Sequence, residues 1–106
     1  MDKNAVLDII VIFKDALESQ GIHVKKIILF GSFATGTFNE ESDIDLVIIS
    51  DDFTGKDYWK RIDILSEAIY EVFKPIEAIA MTPEEWENRE SVIVDYAEHG
   101  EIVYAA

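Results

Sequence analysis

From Ile44 to Ile49 the chain is apolar at every position except Asp45. A run of this length with no polar alternation suits a central strand covered on both faces. Such a strand needs helices on both sides of a sheet, and the remaining pattern offers them. Val6, Ile9, Ile10, Phe13, Ala16 and Leu17 recur at helical spacing and predict an amphipathic helix over 4–20, with Gly21 as its C-cap and Ile22 as the accompanying apolar contact. Lys25 to Phe30 reads as a buried strand that stops at Gly31-Ser32, where a short helical turn begins, and Gly36 and Asn39 mark a loop. Residues 56–73 predict a second long helix with Trp59, Ile62, Leu65, Ile69, Val72 and Phe73 on one side, stopped by Pro75.

Ile76 to Met81 reads as a third strand. Thr82-Pro83-Glu84-Glu85 is a helix start, with Thr82 as N-cap, Pro83 in the first turn and Glu85 reaching back. That helix runs into the nineties with a break near Asn88. Gly100 ends it, and Ile102-Val103-Tyr104 adds an edge strand. The order α-β-(short α)-β-α-β-α-β defines an α/β or α+β domain with one small mixed sheet and helices packed against it, spanning 1–106 as a single unit.

The 106 residues carry a formal net charge of −13 and no cysteine. So negative a surface repels phosphate backbones, so direct nucleic-acid binding is not expected; a basic protein or a cation-bridged anion is the better partner. Without cysteine there are neither disulfides nor thiolate metal sites, which fits a cytoplasmic protein. No apolar run reaches transmembrane length, so no membrane association is expected. The charge is uneven: residues 31–55 hold six acids and no Lys or Arg, and residues 82–106 hold seven acids and only Arg89. Most of these acids read as a solvated surface.

Three features stand apart. Asp43 and Asp45 sit two apart at the start of an apolar strand, so their side chains point to one face. Two carboxylates projected together repel, and a divalent cation such as Mg²⁺ or Mn²⁺ relieves the repulsion. Alone, Asp-x-Asp marks a strand entry or a turn as readily as a metal site. Gly31-Ser32 follows a strand and opens a helical turn, where backbone N–H groups and a hydroxyl can hold phosphate; the plain alternative is a strand-end turn with Ser32 as N-cap. Glu77 interrupts an apolar strand, either as an edge residue facing water or as the third carboxylate of a cluster. Together the three describe metal-assisted phosphoryl or nucleotidyl transfer, with two ions roughly 3.5–4 Å apart and Glu77 placed to deprotonate an attacking hydroxyl.

The stretch GSFATGTFNEESDIDLVII resembles the signature of the DNA polymerase β-like nucleotidyltransferase superfamily: Gly-Ser, a spacer, then Asp-x-Asp on the next strand. Its ten-residue spacing between Ser32 and Asp43 is similar to that of minimal nucleotidyltransferases. The resemblance implies that Gly31 and Ser32 hold the terminal phosphates of a nucleoside triphosphate, with ATP the expected one. It implies that Asp43, Asp45 and Glu77 serve two Mg²⁺ ions and catalysis, and that a nucleoside monophosphate moves to a hydroxyl. Minimal members often pair, as antitoxins, with a helical HEPN-type toxin whose tyrosine can accept the group. Many relatives carry Arg where this chain has Phe33 and Thr35, which leaves Lys56, Lys60, Arg61 or a partner to offset triphosphate charge. A binding module that acts by contact alone is the competing reading.

Among the remaining residues, Trp59 reads as core by its spacing. His23 reads as a loop residue, and His99 as a helix C-terminal residue that favours the dipole. Trp86 is core or interface. Apolar surface on the last helix would favour a homodimer or a partner contact.

Overall fold

The computed structural model describes residues 1–106. Four strands form one mixed sheet in the order β3-β2-β1-β4. They are β1 (Lys26–Phe30), β2 (Ile44–Ile49), β3 (Ile76–Met81) and β4 (Glu101–Ala105). β1 runs antiparallel to both β2 and β4, whereas β2 and β3 are parallel. Helix α1 (Lys3–Ser19) precedes β1, the single turn α2 (Ser32–Thr35) follows it, and α3 (Tyr58–Val72) makes the crossover from β2 to β3. Two short helices, α4 (Pro83–Glu87) and α5 (Ile93–Ala97), lead to β4. No helix is long and apolar enough to cross a membrane.

The uninterrupted apolar run in β2 is explained by two cores. Ile44, Leu46 and Ile48 face α1 and α3, where they meet Phe13, Leu17, Leu65 and Ala68. Val47 and Ile49 face the other way, onto Met81, Val94 and Ala97. Strand alternation therefore puts Asp45 on the face that carries α5, opposite α1 and α3, and Asp43 immediately precedes the strand. The six residues at helical spacing in α1 are all buried.

Three expectations are corrected. Trp59 is 72% exposed and Phe73 84%; of the expected stripe Leu65 is buried and Ile69 and Val72 pack half-buried against the core, with Ile64 and Ala68 completing the buried face. The helix expected from Pro83 into the nineties is two single-turn pieces. Its first piece has the capping box, with the Thr82 hydroxyl accepting from Glu85 N–H and the Glu85 carboxylate accepting from Thr82 N–H. The chain then leaves the helix through Arg89 at φ 53°. Third, Gly100 does not cap a helix, since α5 ends at Ala97. It is there because a Cβ would strike the Leu29 carbonyl and lie 3.0 Å from that of Ala97.

Gly100→Ala should accordingly destabilise the protein by about 2–3 kcal/mol, because the atoms in the way are backbone of a central strand and cannot swing aside. A urea midpoint within a few tenths molar of the parent would show that β4 can shift to accept the methyl group.

Candidate active site

The candidate residues gather at one end of the sheet, where β1 ends and β2 and β3 begin. Gly31 follows β1 with φ +73°, a left-handed conformation that glycine tolerates and L side chains rarely adopt. A Cβ built there would collide with Oδ2 of Asp45 and lie 3.1 Å from its Cγ. The glycine thus lets the turn lie directly against a carboxylate. Gly31 also serves as N-cap of α2: its carbonyl accepts from Ala34 and Thr35 at 3.1 Å. The N–H groups of Ser32 and Phe33 belong to the first turn, where no intrahelical acceptor exists.

Phe33 is the anchor of this turn. It is 2% exposed and stacks on Phe38 with ring centroids 4.6 Å apart. The position at which many relatives carry Arg is here a core side chain, and it ties α2 and the following loop to the sheet. Thr35 stays at the surface and donates its hydroxyl locally to the Gly31 carbonyl at 3.3 Å.

Parallel pairing sets Asp45 beside Glu77 in register. At the first residue of β2, the Ile44 N–H donates to the Pro75 carbonyl at 2.8 Å, which locks the start of β3 beside the start of β2. The Asp45 carboxyl is pushed up to about pH 6, first by burial, then by a hydrogen bond with Glu77, then by the charges of Glu77 and Asp43. Asp45 is half-buried, while Asp43 and Glu77 are exposed. These carboxylates do not close into a cage: no group of three or more His, Asp or Glu side chains is assembled as a metal site. The arrangement is an open row of oxygens in which Asp45 is central and destabilised as an anion. It fits a hard divalent cation, which would relieve the repulsion and take its remaining oxygens from substrate and water. Glu77 satisfies both sequence readings, because β3 is an edge strand and yet Glu77 lies against Asp45.

The cations expected to reach this site do not. Lys56 donates to the Asp52 carbonyl, beyond the far end of β2. Arg61 donates to the carbonyls of Phe53 and Lys56 and, at 2.6 Å, to Glu85. That contact holds the Glu85 carboxyl below the usual carboxylate range. Lys60 lies in the same first turns of α3. Leu46 to Ile49 of β2 separate this cluster from Asp45, roughly 13 Å at strand rise. Lys74, two residues before β3, has no ion-pair partner among the salt bridges, but it lines the hollow beside Ser66, Tyr70 and Phe73 of α3.

The chain belongs to the nucleotidyltransferase domain family, whose description matches residues 7–101. Its four-stranded mixed sheet and helices are the polymerase β-like nucleotidyltransferase fold. A protein of Methanocaldococcus jannaschii named as a candidate protein adenylyltransferase is 37% identical over 99 residues, covering 87% of this chain and 91% of that protein. Among solved structures, a candidate nucleotidyltransferase from Sulfolobus solfataricus has a TM-score of 0.71 at 17% identity, over 94% of this chain and 80% of that one. A toxin–antitoxin complex with AMP-PNP has a TM-score of 0.61 at 18% identity, over 94% and 73%. A mutant MntA–HpeT toxin–antitoxin complex has a TM-score of 0.57 at 15% identity, over 100% and 75%. The structural likenesses establish the fold.

Proposed function

We propose that residues 1–106 act as one minimal nucleotidyltransferase domain that moves an adenylyl group from ATP to a hydroxyl of a partner protein, as the antitoxin half of a two-protein system. The observation that carries this reading is Asp45: one carboxylate touched by the Gly31 turn on one side and by Glu77 on the other, and raised in proton affinity by both burial and charge. The 37% identical protein named as a candidate protein adenylyltransferase supports the donor and the protein acceptor. The toxin–antitoxin neighbours support the partner, and a helical HEPN-type protein presenting a tyrosine is our candidate for it. A cysteine-free chain using ATP is suited to the cytoplasm.

In this reading the N–H groups of Ser32 and Phe33 and the Ser32 hydroxyl hold the terminal phosphates. Asp43 and Asp45 are the ligands for two Mg²⁺ or Mn²⁺ ions, and Glu77 lies on the acceptor side. Bound divalent ions supply charge neutralisation at the reacting phosphate and at the leaving oxygens. Glu77 takes the hydroxyl proton as the acceptor oxygen bonds to the α-phosphorus. The bond from that phosphorus to the bridging oxygen breaks, and pyrophosphate leaves. The phosphates meet no Lys or Arg from 31–55, so the ions or a partner would provide the positive charge.

The test mixes the protein with ATP labelled at the α-phosphate, Mg²⁺ or Mn²⁺, and the product of the neighbouring gene. Label should appear on the partner, and Glu77→Gln should slow transfer by about 10²-fold or more while leaving ATP binding near normal. Chelation should stop it. Contact-only neutralisation is the second reading, favoured by Phe33 in the core and by Arg61 at the far end of the sheet. Tight partner binding with no label transfer, unaffected by Glu77→Gln, would establish that reading.

A further inference from the structure

The two edges of the sheet are not equally protected. β4 shifts register against β1 between Ile27 and Ile28. β3 pairs with β2 without a break over all six of its residues, Ile76 to Met81. Exposed edges are commonly blunted by lysine, proline or a bulge, and β3 has none of these within its length. Its Pro75 and Met81 carbonyls accept from the N–H groups of Ile44 and Ser50, so the odd-numbered residues face β2. The backbone groups of Ala78 and Ala80 therefore point outward. Neither N–H is donated to any turn or loop of the chain, and the Ala80 carbonyl has only a long contact, 3.5 Å, from Arg61. Such a row of free donors and acceptors is a template for one more strand.

The free edge opens onto two hollows. One of about 430 Å³ lies between Ala78 and Ala80 and the Ile62 and Leu65 side chains of α3. The other, of about 250 Å³, takes in Ile79 and Met81, which share the Glu77 face, with Glu90 and Ser91. An added strand turns alternate side chains to opposite faces, so apolar ones can enter the first hollow while the rest stand on the Glu77 face. Charge identifies the occupant. Arg61 is matched by Glu85, and Lys56 is held at the Asp52 carbonyl. Asp57, Glu77 and Glu90 have no ion-pair partner. A second copy of this chain, itself at −13, would set like charges against them, whereas a lysine- or arginine-bearing segment neutralises them. The edge is also continuous with the carboxylate site, because Glu77 belongs to β3. A residue opposite Glu77 on an added strand shares its face, with Cβ atoms about 5 Å apart. Resting on the transferase reading above, we propose that the partner protein docks an extended, basic segment along the outer edge of β3. That added strand brings the acceptor hydroxyl opposite Glu77.

The probe is the peptide KVKVYVKVK, used in chelator without ATP so that docking is read apart from transfer. In amide hydrogen exchange, Ala78 and Ala80 should exchange freely in the protein alone and be slowed at least ~10-fold by about 1 mM peptide. The same peptide with glutamate for lysine should give no protection. Methylating one alternate set of peptide nitrogens should abolish protection and methylating the other should preserve it, since only one row faces β3. Ala78→Pro removes an outward N–H and leaves the β2 ladder intact. It should slow label transfer to the neighbouring gene's product by about 10-fold or more, with ATP binding and far-ultraviolet dichroism unchanged. No protection by the lysine peptide, equal effects of the two methylated sets, or Ala78 and Ala80 already protected in a dimer of the free protein would overturn the proposal. Normal transfer by Ala78→Pro would also overturn it and leave the transferase reading standing. Peptide protection with no transfer by the parent protein would overturn the transferase reading and uphold the docking edge.

Discussion

Asp45→Asn is expected to abolish label transfer, by about 10³-fold or more, and at the same time to stabilise the metal-free protein. Both effects come from one carboxylate. Its protonation midpoint is near 6 in the folded chain, whereas an unfolded aspartate titrates near 4. A carboxylate raised in this way penalises the folded state once it is ionised. The penalty is absent below about pH 4, grows as pH rises to about 6, and is complete above that. A two-unit displacement would correspond to roughly 3 kcal/mol, but Asp45 is half-exposed and solvent screening leaves about 1 kcal/mol. Removing the charge should recover that amount at pH 7, a gain of about 4 °C or more in midpoint for a chain of this size.

Below about pH 4.5 other groups take over. Glu85, held low by Arg61, loses its contribution as it protonates, so stability falls again in acid. Chelated parent protein should therefore be most stable near pH 5. Asp45→Asn should be flat between pH 5 and 7. Millimolar Mg²⁺ should raise the melting temperature of the parent and leave that of Asp45→Asn unchanged. A variant that is less stable than the parent at pH 7 in chelator, or that keeps its transfer activity, would remove Asp45 from the centre of the site.

Gly31→Ala should produce the second large loss. With φ +73° and ψ −153° Gly31 lies outside the αL well, in a region essentially only glycine occupies, which costs any side chain about 1–3 kcal/mol, and the methyl group must also displace the Asp45 carboxylate. We expect about 2–3 kcal/mol of destabilisation and at least ~10²-fold loss of transfer, since moving a catalytic group by an ångström is sufficient for that. The two costs separate in a double-mutant cycle. In an Asp45→Ala background only the backbone term remains, so the coupling should be about 1 kcal/mol or more. Gly36 is a partial control: it is an αL C-cap at φ +82°, ψ 10° with open space around it, and Gly36→Ala should show only the smaller αL cost of about 1 kcal/mol. Equal effects at Gly31 and Gly36, or no coupling with Asp45, would contradict the close approach.

Much of this architecture was legible because it is local. Helical periodicity named all six residues that α1 buries, and Thr82 and Glu85 formed the capping box their spacing predicts. α3 was misread at Trp59 because periodicity shows that a helix has an apolar stripe but not which neighbour covers it. With stripes on two sides, the sheet and α1 took the one centred on Ile64, Leu65 and Ala68. The break after Glu87 was read as a single interruption. It became a separate segment because the left-handed Arg89 and its ion pairs with Asp95 and Glu98 redirect the chain, and those contacts span six and nine residues.

At the candidate site the division has the same cause. Asp45 takes its face because strand side chains alternate, a property of backbone geometry that the sequence carries on its own. The positive φ of Gly31 follows equally from a glycine at a strand-to-helix turn. What only the tertiary structure decided is which distant groups these residues meet. The crossover through α3 makes β3 parallel to β2 and brings Glu77, 32 positions later, beside Asp45. The same crossover carries Lys56, Lys60 and Arg61 to the opposite end of the sheet, because a helix that links two parallel strands must start where the first one finishes.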